Sequence, residues 1–157
     1  MSHTGARSKI VIGCDHGGFL LKEKIIHYLN KQGLLIEDIG TFSQGSMDYP
    51  DTAYKVARAV SFGKAHRGIL ICKTGIGNCI VANKLKNVRA ALCYNIKAAR
   101  LSRRHNDANV LVLGALFVTS PAAKKMIDAW LNTAFEGGRH LRRIKKIERI
   151  ERLCARQ

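Results

Sequence analysis

Apolar and polar positions along the chain follow two different periods. Short, mostly apolar segments occur at 9–14, 34–40, 67–72, 88–94 and 108–114; each has the length of a strand, and most have the apolar run of a strand buried on both faces. The segments between them carry apolar residues three and four positions apart, which is the spacing of an amphipathic helix. Strands that alternate with helices in this way predict a single Rossmann-like α/β domain with three layers: a five-stranded parallel sheet with helices on both faces.

Glycine, proline and aspartate residues indicate where the helices begin and end. Gly33 is placed to end the first helix, and Asp51 is a good N-cap for a second helix that runs to about Gly63. Pro121 is placed at the start of a later helix, which we expect to continue to the break at 137–138. A basic C-terminal helix follows, and its apolar stripe consists of Leu141, Ile144, Ile147, Ile150 and Leu153.

The length of the chain and its first residues indicate one domain of a cytoplasmic protein. A chain of 157 residues can build one core, and we assign 9–157 to that domain and 1–8 to a disordered extension. No stretch approaches the roughly 20 apolar residues that a membrane span needs, and the start MSHTGARSK lacks the apolar core of a signal peptide. The five cysteines form no CxxC pair, which is typical of reduced thiols and gives no metal-ligand pattern.

The formal net charge of +16 is partly concentrated at the C-terminal end of the chain. Eight Lys or Arg residues and only two Glu lie between Arg139 and Gln157. A basic segment of this kind can bind RNA or an anionic membrane, but nucleic-acid readers usually interleave aromatic residues, and this segment has none. We therefore expect a solvated face or a site for a small anion, with no specific nucleic acid and no membrane as partner.

The stretch ILICKTGIGNC, residues 69–79, ends a predicted strand and begins a glycine-rich helix. A phosphate-binding P-loop is poorly supported, because the glycine that should precede Lys73 is missing and no GxGxxG fingerprint is complete. Cys72 is also a candidate for a reactive thiol, since amides of the TGIG segment can converge on an anion and would lower the pKa of the thiol. An inert, packed cysteine at a strand end is the third interpretation, and the residues alone leave it open.

Further polar residues lie next to predicted strand and helix ends. Asp15 and His16 follow the first strand, and 105–107 is the sequence His-Asn-Asp at the end of a helix. Arg139 and Arg143 are four positions apart on one helix face, where they could clamp a phosphate. Ligands of open parallel sheets bind beyond the carboxyl ends of the strands, which favours a site there. Each group also has a purely structural explanation. Asp15 and His16 can form a capping turn, 105–107 can be a polar helix end, and the two arginines can lie on an exposed helix face without a ligand.

Six segments together resemble the ribose-5-phosphate isomerase B family, which also includes galactose-6-phosphate isomerase subunits. They are DHGGFLLK, DYPD, ILICKTGIG, ANK, LSRRHNDANVL and EGGRH, in the family's order and spacing from about Lys9 to about Arg152. The resemblance implies interconversion of ribose 5-phosphate and ribulose 5-phosphate without a metal or an organic cofactor. It also implies a homodimer, or a tetramer, whose active site is shared between subunits.

The same resemblance implies the catalytic residues. Cys72 matches the base that moves a proton between sugar carbons 1 and 2. Asp15 matches a residue that handles sugar hydroxyls, and His105 matches the one that opens the furanose ring. The loop that holds the negative charge of the enediolate corresponds to Thr74, Gly75 and Gly77.

The substrate contacts are implied in the same way. Asn106 and Tyr49 match residues that contact the substrate, and Asn106 is expected to come with His105 from the neighbouring subunit. Binding of the phosphate group is implied for His16, Arg139 and Arg143.

Two positions depart from the family pattern. Lys73 stands where the family normally has glycine, and Leu116 stands where many members carry a phosphate-binding arginine. Strand alternation predicts that the Lys73 side chain points away from Cys72, and the alternative is that it replaces the missing charge. The alternative functions are isomerisation of a hexose 6-phosphate, of the allose or galactose type, and a non-catalytic relative that binds phosphosugar or RNA. Retention of Cys72 favours an enzyme.

Overall fold

The computed structural model of the protein describes residues 9–155, which form a five-stranded sheet. Its strands, in chain order, are β1 (Ile10–Cys14), β2 (Ile36–Gly40), β3 (Arg67–Cys72), β4 (Ala90–Leu92) and β5 (Val110–Gly114). They lie across the sheet in the order β2-β1-β3-β5-β4, and every neighbouring pair is parallel. The predicted fold is therefore confirmed. The expected extension at 1–8 lies outside the described residues.

Within this described part of the chain, six helices cover the two faces of the sheet. They are α1 (Phe19–Lys31), α2 (Tyr49–Ser61), α3 (Ile76–Ala82), α4 (Ile96–Asn106), α5 (Ser120–Asn132) and α6 (Arg139–Cys154). Helices α1, α4 and α5 pack on one face, and α2 and α3 pack on the other. None of the helices in 9–155 is long and apolar enough to cross a membrane.

Strands β1, β3 and β5 are buried along nearly their whole length because helices cover them on both sides. Alternate residues enter separate cores, so that Ile12 packs on the face that also buries Trp130, while Val11 and Val112 pack on the opposite face. This explains why the strands read as continuous apolar runs rather than as alternating ones.

Two helix boundaries differ from the sequence prediction. Helix α2 begins at Tyr49 and has Asp48 in the N-cap position, so Asp51 lies in its first turn instead of capping it. Pro50 fits there because the first turn needs no N–H from it. Helix α5 ends at Asn132, because Thr133 has an extended backbone, and a loop rather than a helix reaches Gly137.

The apolar stripe of α6 is also less buried than the periodicity suggests. Ile144 is buried at 4% exposure, whereas Ile147, Ile150 and Leu153 keep between 47% and 59% of their surface exposed. Among residues 9–155, the apolar stripe of this helix is well buried only at Ile144, in the N-terminal half of the helix.

A buried ion pair joins α1 to the end of β2. The ammonium group of Lys22, whose side chain is completely buried, donates to the carboxylate of Asp38 and lies over the rings of Phe19 and Phe42. The other carboxylate oxygen of Asp38 accepts the Gly40 N–H at 2.9 Å. Asp38 therefore fixes both the buried lysine and the backbone where the chain leaves β2.

We predict that Asp38→Ala lowers the free energy of unfolding by about 3 kcal/mol, because it leaves the buried Lys22 ammonium without its main counter-charge. Urea denaturation followed by circular dichroism measures this. Glu37→Ala is the matched control on the same strand, because Glu37 pairs with Lys9 at the surface and should cost less than about 1 kcal/mol. Equal losses in the two variants would contradict a structural role for the buried pair.

Candidate active site

Most of the residues that the sequence analysis singled out meet at the carboxyl edge of the sheet. Asp15 and His16 follow β1, Tyr49 begins α2 after β2, and Cys72 is the last residue of β3. The loop after β3 adds Thr74 and Gly75, and Gly77 follows in the first turn of α3. Because neighbouring parallel strands end at one edge, these residues form a single group, which we call the thiol half-site.

The thiol of Cys72 is buried, with 4% of the residue exposed, and points at the start of α3. The N–H of Gly75 donates to its Sγ at 3.0 Å. This approach requires the left-handed backbone of Gly75, which has φ of +81° and which residues with a side chain rarely adopt. The thiol of Cys72 therefore faces a glycine amide at the start of α3.

Burial raises the pKa of the Cys72 thiol above its ordinary value, although the amides of Gly75, Asn78 and Thr74 act in the opposite direction. The amides at the helix start therefore lower this pKa as expected, but the net shift of the pKa, which burial dominates, is upward. The physical reason is that burial destabilises the thiolate by more free energy than the hydrogen bonds from the three amides stabilise it.

The loop after β3 is held by backbone hydrogen bonds from the segment that follows β5. The N–H of Ala115 donates to the Cys72 carbonyl at 2.8 Å, and the N–H of Leu116 donates to the Lys73 carbonyl at 2.9 Å. The hydroxyl of Tyr94 donates to the Thr74 carbonyl at 3.1 Å. The two departures from the family pattern, Lys73 and Leu116, are thus direct neighbours in space.

Lys73 is exposed, and part of its side chain packs against the turn that follows β1. Its aliphatic stem lies against Gly17, in the turn that carries Asp15 and His16, where a Cβ on Gly17 would overlap it. Its backbone φ is not positive, so a residue with a Cβ fits here without strain. Lys73 is the first residue after β3, and the direction of its side chain relative to the Cys72 thiol stays a prediction.

Asp15, His16 and Tyr49 are each positioned by backbone contacts. One carboxylate oxygen of Asp15, a residue that is 7% exposed, accepts the Gly18 N–H at 3.0 Å. Nδ1 of His16 accepts the Met47 N–H at 3.3 Å, which docks the loop before α2 on this histidine. The ring of Tyr49 lies directly against Gly77.

The remaining candidates lie at the opposite edge of the sheet. His105 and Asn106 end α4, and Arg139 begins α6 with Arg143 one turn later. The two helix ends are joined where the Glu136 N–H donates to the Arg104 carbonyl at 3.0 Å. We call this group the histidine half-site.

The polarity of the fold separates the two half-sites. Helix α4 follows β4 and runs back to the amino edge, where Asn109 accepts the N–H of Gly68 at the start of β3. Cys72 is at the other end of that same strand. One chain therefore cannot bring His105 to its own Cys72, as expected if His105 and Asn106 serve a neighbouring subunit.

A groove of about 720 Å³ lies between α6 and β4, but it does not contain Cys72. Its lining includes Val88, Ala90, Ile147 and Ile150, with Asn106 at one end. This groove is thus apart from the thiol of Cys72, which lies at the carboxyl end of β3.

Several residues in these half-sites were not found from the sequence. Met47 and Tyr94 contribute backbone and hydroxyl contacts, and buried Asn78 has a side-chain oxygen without a hydrogen-bond partner among residues 9–155. Glu136 and His140 surround His105. Of these residues, only Asn78 could have been identified from the sequence, because it is a polar residue next to the glycine-rich loop.

A family model described as Ribose/Galactose Isomerase matches residues 10–147. Among curated proteins, the chain is 48% identical to ribose-5-phosphate isomerase B of Escherichia coli over 143 residues, which are 91% of this chain and 96% of that protein. It is also 44% identical to D-erythrulose-4-phosphate isomerase of Pectobacterium atrosepticum over 139 residues, 88% of this chain and 91% of that one.

Solved structures give the same result for the fold. Ribose-5-phosphate isomerase B of Clostridium thermocellum is 50% identical and superposes with a TM-score of 0.90, covering 92% of this chain and 97% of that one. The enzyme of Mycoplasma genitalium with bound ribulose-5-phosphate is 44% identical with a TM-score of 0.88, covering 92% and 96%.

We predict that alkylation of Cys72 by iodoacetamide accelerates about tenfold per pH unit through the neutral range, and levels off only above the ordinary thiol pKa. The thiolate is the nucleophile, and a raised pKa keeps most of the thiol protonated at neutral pH. Mass spectrometry of the Cys72 peptide follows the rate, with Cys72→Ala to confirm the assignment. A rate that is already constant at pH 7 would show a stabilised thiolate and refute the raised pKa.

Proposed function

The chain belongs to the ribose/galactose isomerase family and is a sugar-phosphate isomerase of the ribose-5-phosphate isomerase B type, and we propose that it interconverts ribose 5-phosphate and ribulose 5-phosphate. The observation that carries the proposal is the buried Cys72 thiol at the end of the central strand, facing the Gly75 amide and next to Asp15. These are the parts that an aldose–ketose isomerisation needs: a base, a hydroxyl contact and donors for an oxyanion.

In this proposal the Cys72 thiolate removes the proton from carbon 2 of the open-chain aldose. The electron pair forms a double bond between carbons 1 and 2, and the carbonyl electrons move to oxygen 1 to give the enediolate. The amides of the loop at Thr74, Gly75 and Gly77 stabilise that charge, and Asp15 handles the sugar hydroxyls. The proton then returns from sulfur to carbon 1 while the oxygen proton moves from oxygen 2 to oxygen 1, which gives the ketose. A thiolate with a raised pKa is scarce at neutral pH but is a stronger base once formed.

We also propose that the working unit contains at least two subunits, with the thiol half-site of one facing the histidine half-site of the other. His105 then opens the furanose ring and Asn106 contacts the substrate, while Tyr49 contacts it from the first subunit. The separation of the half-sites supports this, and so do apolar side chains exposed near the thiol half-site, where Leu116 is 67% and Phe117 is 58% exposed. Five free cysteines are compatible with a reducing, cytoplasmic location.

The phosphate group is assigned to Arg139 and Arg143 together with His16. Both arginines are exposed on the first turns of α6, where two guanidinium groups can bind one phosphate. We add Lys73, because its stem crosses the turn next to His16 and its carbonyl accepts the Leu116 N–H. In this arrangement the ammonium group replaces the charge that an arginine at position 116 supplies in other members.

We predict that the purified protein converts ribose 5-phosphate, and that Cys72→Ala and His105→Asn each lose nearly all activity. Mixing the two inactive variants under subunit exchange should restore about a quarter of the wild-type activity. Half of the randomly formed dimers then contain both variants, and each of these has one intact site. A coupled assay for ribulose 5-phosphate measures the rate.

Cys79→Ala is the matched control, because Cys79 lies on α3 outside the thiol half-site and should keep full activity. Tetrulose 4-phosphate and allose 6-phosphate are tested in parallel, since one similar relative is named for the former substrate. If kcat/KM is higher for either of these sugars than for ribose 5-phosphate, that sugar is the preferred substrate and the proposed substrate is wrong. No recovery on mixing would disprove the shared site.

We predict that Lys73→Met raises the KM for ribose 5-phosphate about tenfold with little change in kcat, because it removes a charged contact to the non-reacting phosphate. Adding Leu116→Arg to this variant should restore much of the affinity. Lys84→Met, at an exposed position beyond α3, is the matched control and should leave KM unchanged. An unchanged KM in Lys73→Met would identify Lys73 as a solvated lysine without a role in binding.

A further inference from the structure

Three side chains with metal-ligating groups converge at the histidine half-site. They are His105 at the end of α4, Glu136 in the loop before α6 and His140 in the first turn of α6, and their ligand atoms all lie within 4.8 Å of one another. The rings of the two histidines are stacked, with centroids 4.2 Å apart. We propose that this cluster binds one transition-metal ion of the Zn²⁺ type, and that binding withdraws His105 from catalysis.

The strongest observation is the state of His140. This residue is 4% exposed, and its Nε2 has no hydrogen-bond partner among residues 9–155. A buried nitrogen of this kind normally has a partner, because its desolvation is otherwise uncompensated. Its Nε2 instead faces Oε1 of Glu136 at 3.8 Å, a distance too long for a hydrogen bond.

The protonation state of His140 suits a ligand. Burial lowers its pKa, and electrostatic interaction with His105, Arg139 and Arg143 lowers it further, while Glu136 acts in the opposite direction. A lower pKa favours the neutral imidazole, which is the form with a lone pair for a metal.

Glu136 offers one oxygen without giving up its existing partner. Its Oε2 accepts from the guanidinium group of Arg104 at 2.7 Å, while Oε1 is the atom that faces His140. A metal bound at Oε1 would leave the Arg104 contact in place as the outer contact that orients a ligating carboxylate. The hydrogen bond from Arg104 also lowers the pKa of Glu136, which keeps the carboxylate ionised.

The donor set selects the kind of ion. Two imidazoles and one carboxylate match zinc and its neighbours in the first transition row, whereas Mg²⁺ and Ca²⁺ prefer oxygen ligands. Bonds of about 2.0–2.2 Å require the three donors to move closer together and the stacked rings to turn. His105 is half-buried and Glu136 is exposed, so both side chains have room to move toward the fixed His140.

The surrounding charges set a limit on the affinity. Arg104, Arg139 and Arg143 all lie close enough to influence Glu136 or His140 electrostatically, and each disfavours an added cation. We therefore expect binding in the micromolar range rather than the much tighter binding of structural zinc sites. Binding of this strength is reversible by a chelator.

The consequence for catalysis depends on the proposed function, in which His105 opens the sugar ring. An imidazole bound to a metal has no lone pair for proton transfer, so the ion and ring opening compete for one side chain. Zn²⁺ is thus expected to inhibit the isomerase, and the inhibition should disappear when the ion is removed.

The test is a direct titration of the metal-free, full-length protein with Zn²⁺ by calorimetry. We expect one ion per chain, with the affinity reduced at least about 10- to 100-fold in His140→Asn and in Glu136→Gln. Glu136→Gln keeps an oxygen that can accept from Arg104 and changes only an exposed side chain, so it tests the proposal even if His140→Asn folds poorly. His27→Asn and Glu148→Gln are the matched controls, because both residues lie outside the cluster and should bind like the wild type.

Titration with Co²⁺ separates this site from the cysteines. A site of histidine and carboxylate ligands gives visible d–d absorption without the near-ultraviolet charge-transfer band of a thiolate bound to cobalt. A thiolate band that persists in His140→Asn would overturn the proposal, as would equal Zn²⁺ affinity in the wild type and Glu136→Gln.

The activity measurement is kept separate. Zn²⁺ should inhibit the wild type, a chelator should reverse the inhibition, and Glu136→Gln should need at least about tenfold more Zn²⁺ for the same effect. Because calorimetry does not depend on turnover, failure of the isomerase assay would leave the binding result intact. Binding at the cluster without any inhibition of an active enzyme would refute the link to His105.

Discussion

The end of β3 lies between two glycines, and the position of Cys72 depends on how closely their backbones approach it. A Cβ on Gly18 would overlap the carbonyl of Ile71, and a Cβ on Gly114 would overlap the carbonyl of Thr74. Because neither residue has a side chain, the segments after β1 and β5 press directly on the central strand from both sides. Asp15 and the amides of 115–116 are thereby brought against the loop that carries the thiol.

Because the strands are parallel, strand ends and helix ends lie at opposite edges of the sheet. Each helix returns the chain to the amino edge of the sheet, so a residue at a helix end lies one strand length away from a residue at a strand end. Cys72 lies at a strand end, and His105 lies at a helix end. In the proposed mechanism both act on one sugar, and the parallel topology then makes association of subunits a condition for catalysis. The same requirement gives a role to the apolar residues in the C-terminal half of α6, which stay exposed in the described part of the chain.

Much of the fold could be predicted from the sequence, because strands buried on both faces and amphipathic helices leave different periods. The end of α5 could not, since apolar residues continue past Asn132 with helical spacing, while a tertiary hydrogen bond from Glu136 to the Arg104 carbonyl holds the loop. Residues of the thiol half-site were found because they are adjacent in recognisable segments. The direction of the Cys72 pKa and the contacts of His140 were not found, because burial and pairing across long stretches of chain have no local signature.

The two proposals about His105 constrain each other thermodynamically. If substrate and metal both need this imidazole, each lowers the affinity of the protein for the other by the same factor, whichever binds first. The guanidinium groups around it act in opposite senses on the two ligands, since Arg139 and Arg143 favour a phosphate and disfavour a cation. In the proposed arrangement, the charge that binds the sugar phosphate therefore also keeps metal binding weak. Phosphorylated substrate at a concentration well above its dissociation constant then displaces the ion, and the metal acts only when substrate is scarce.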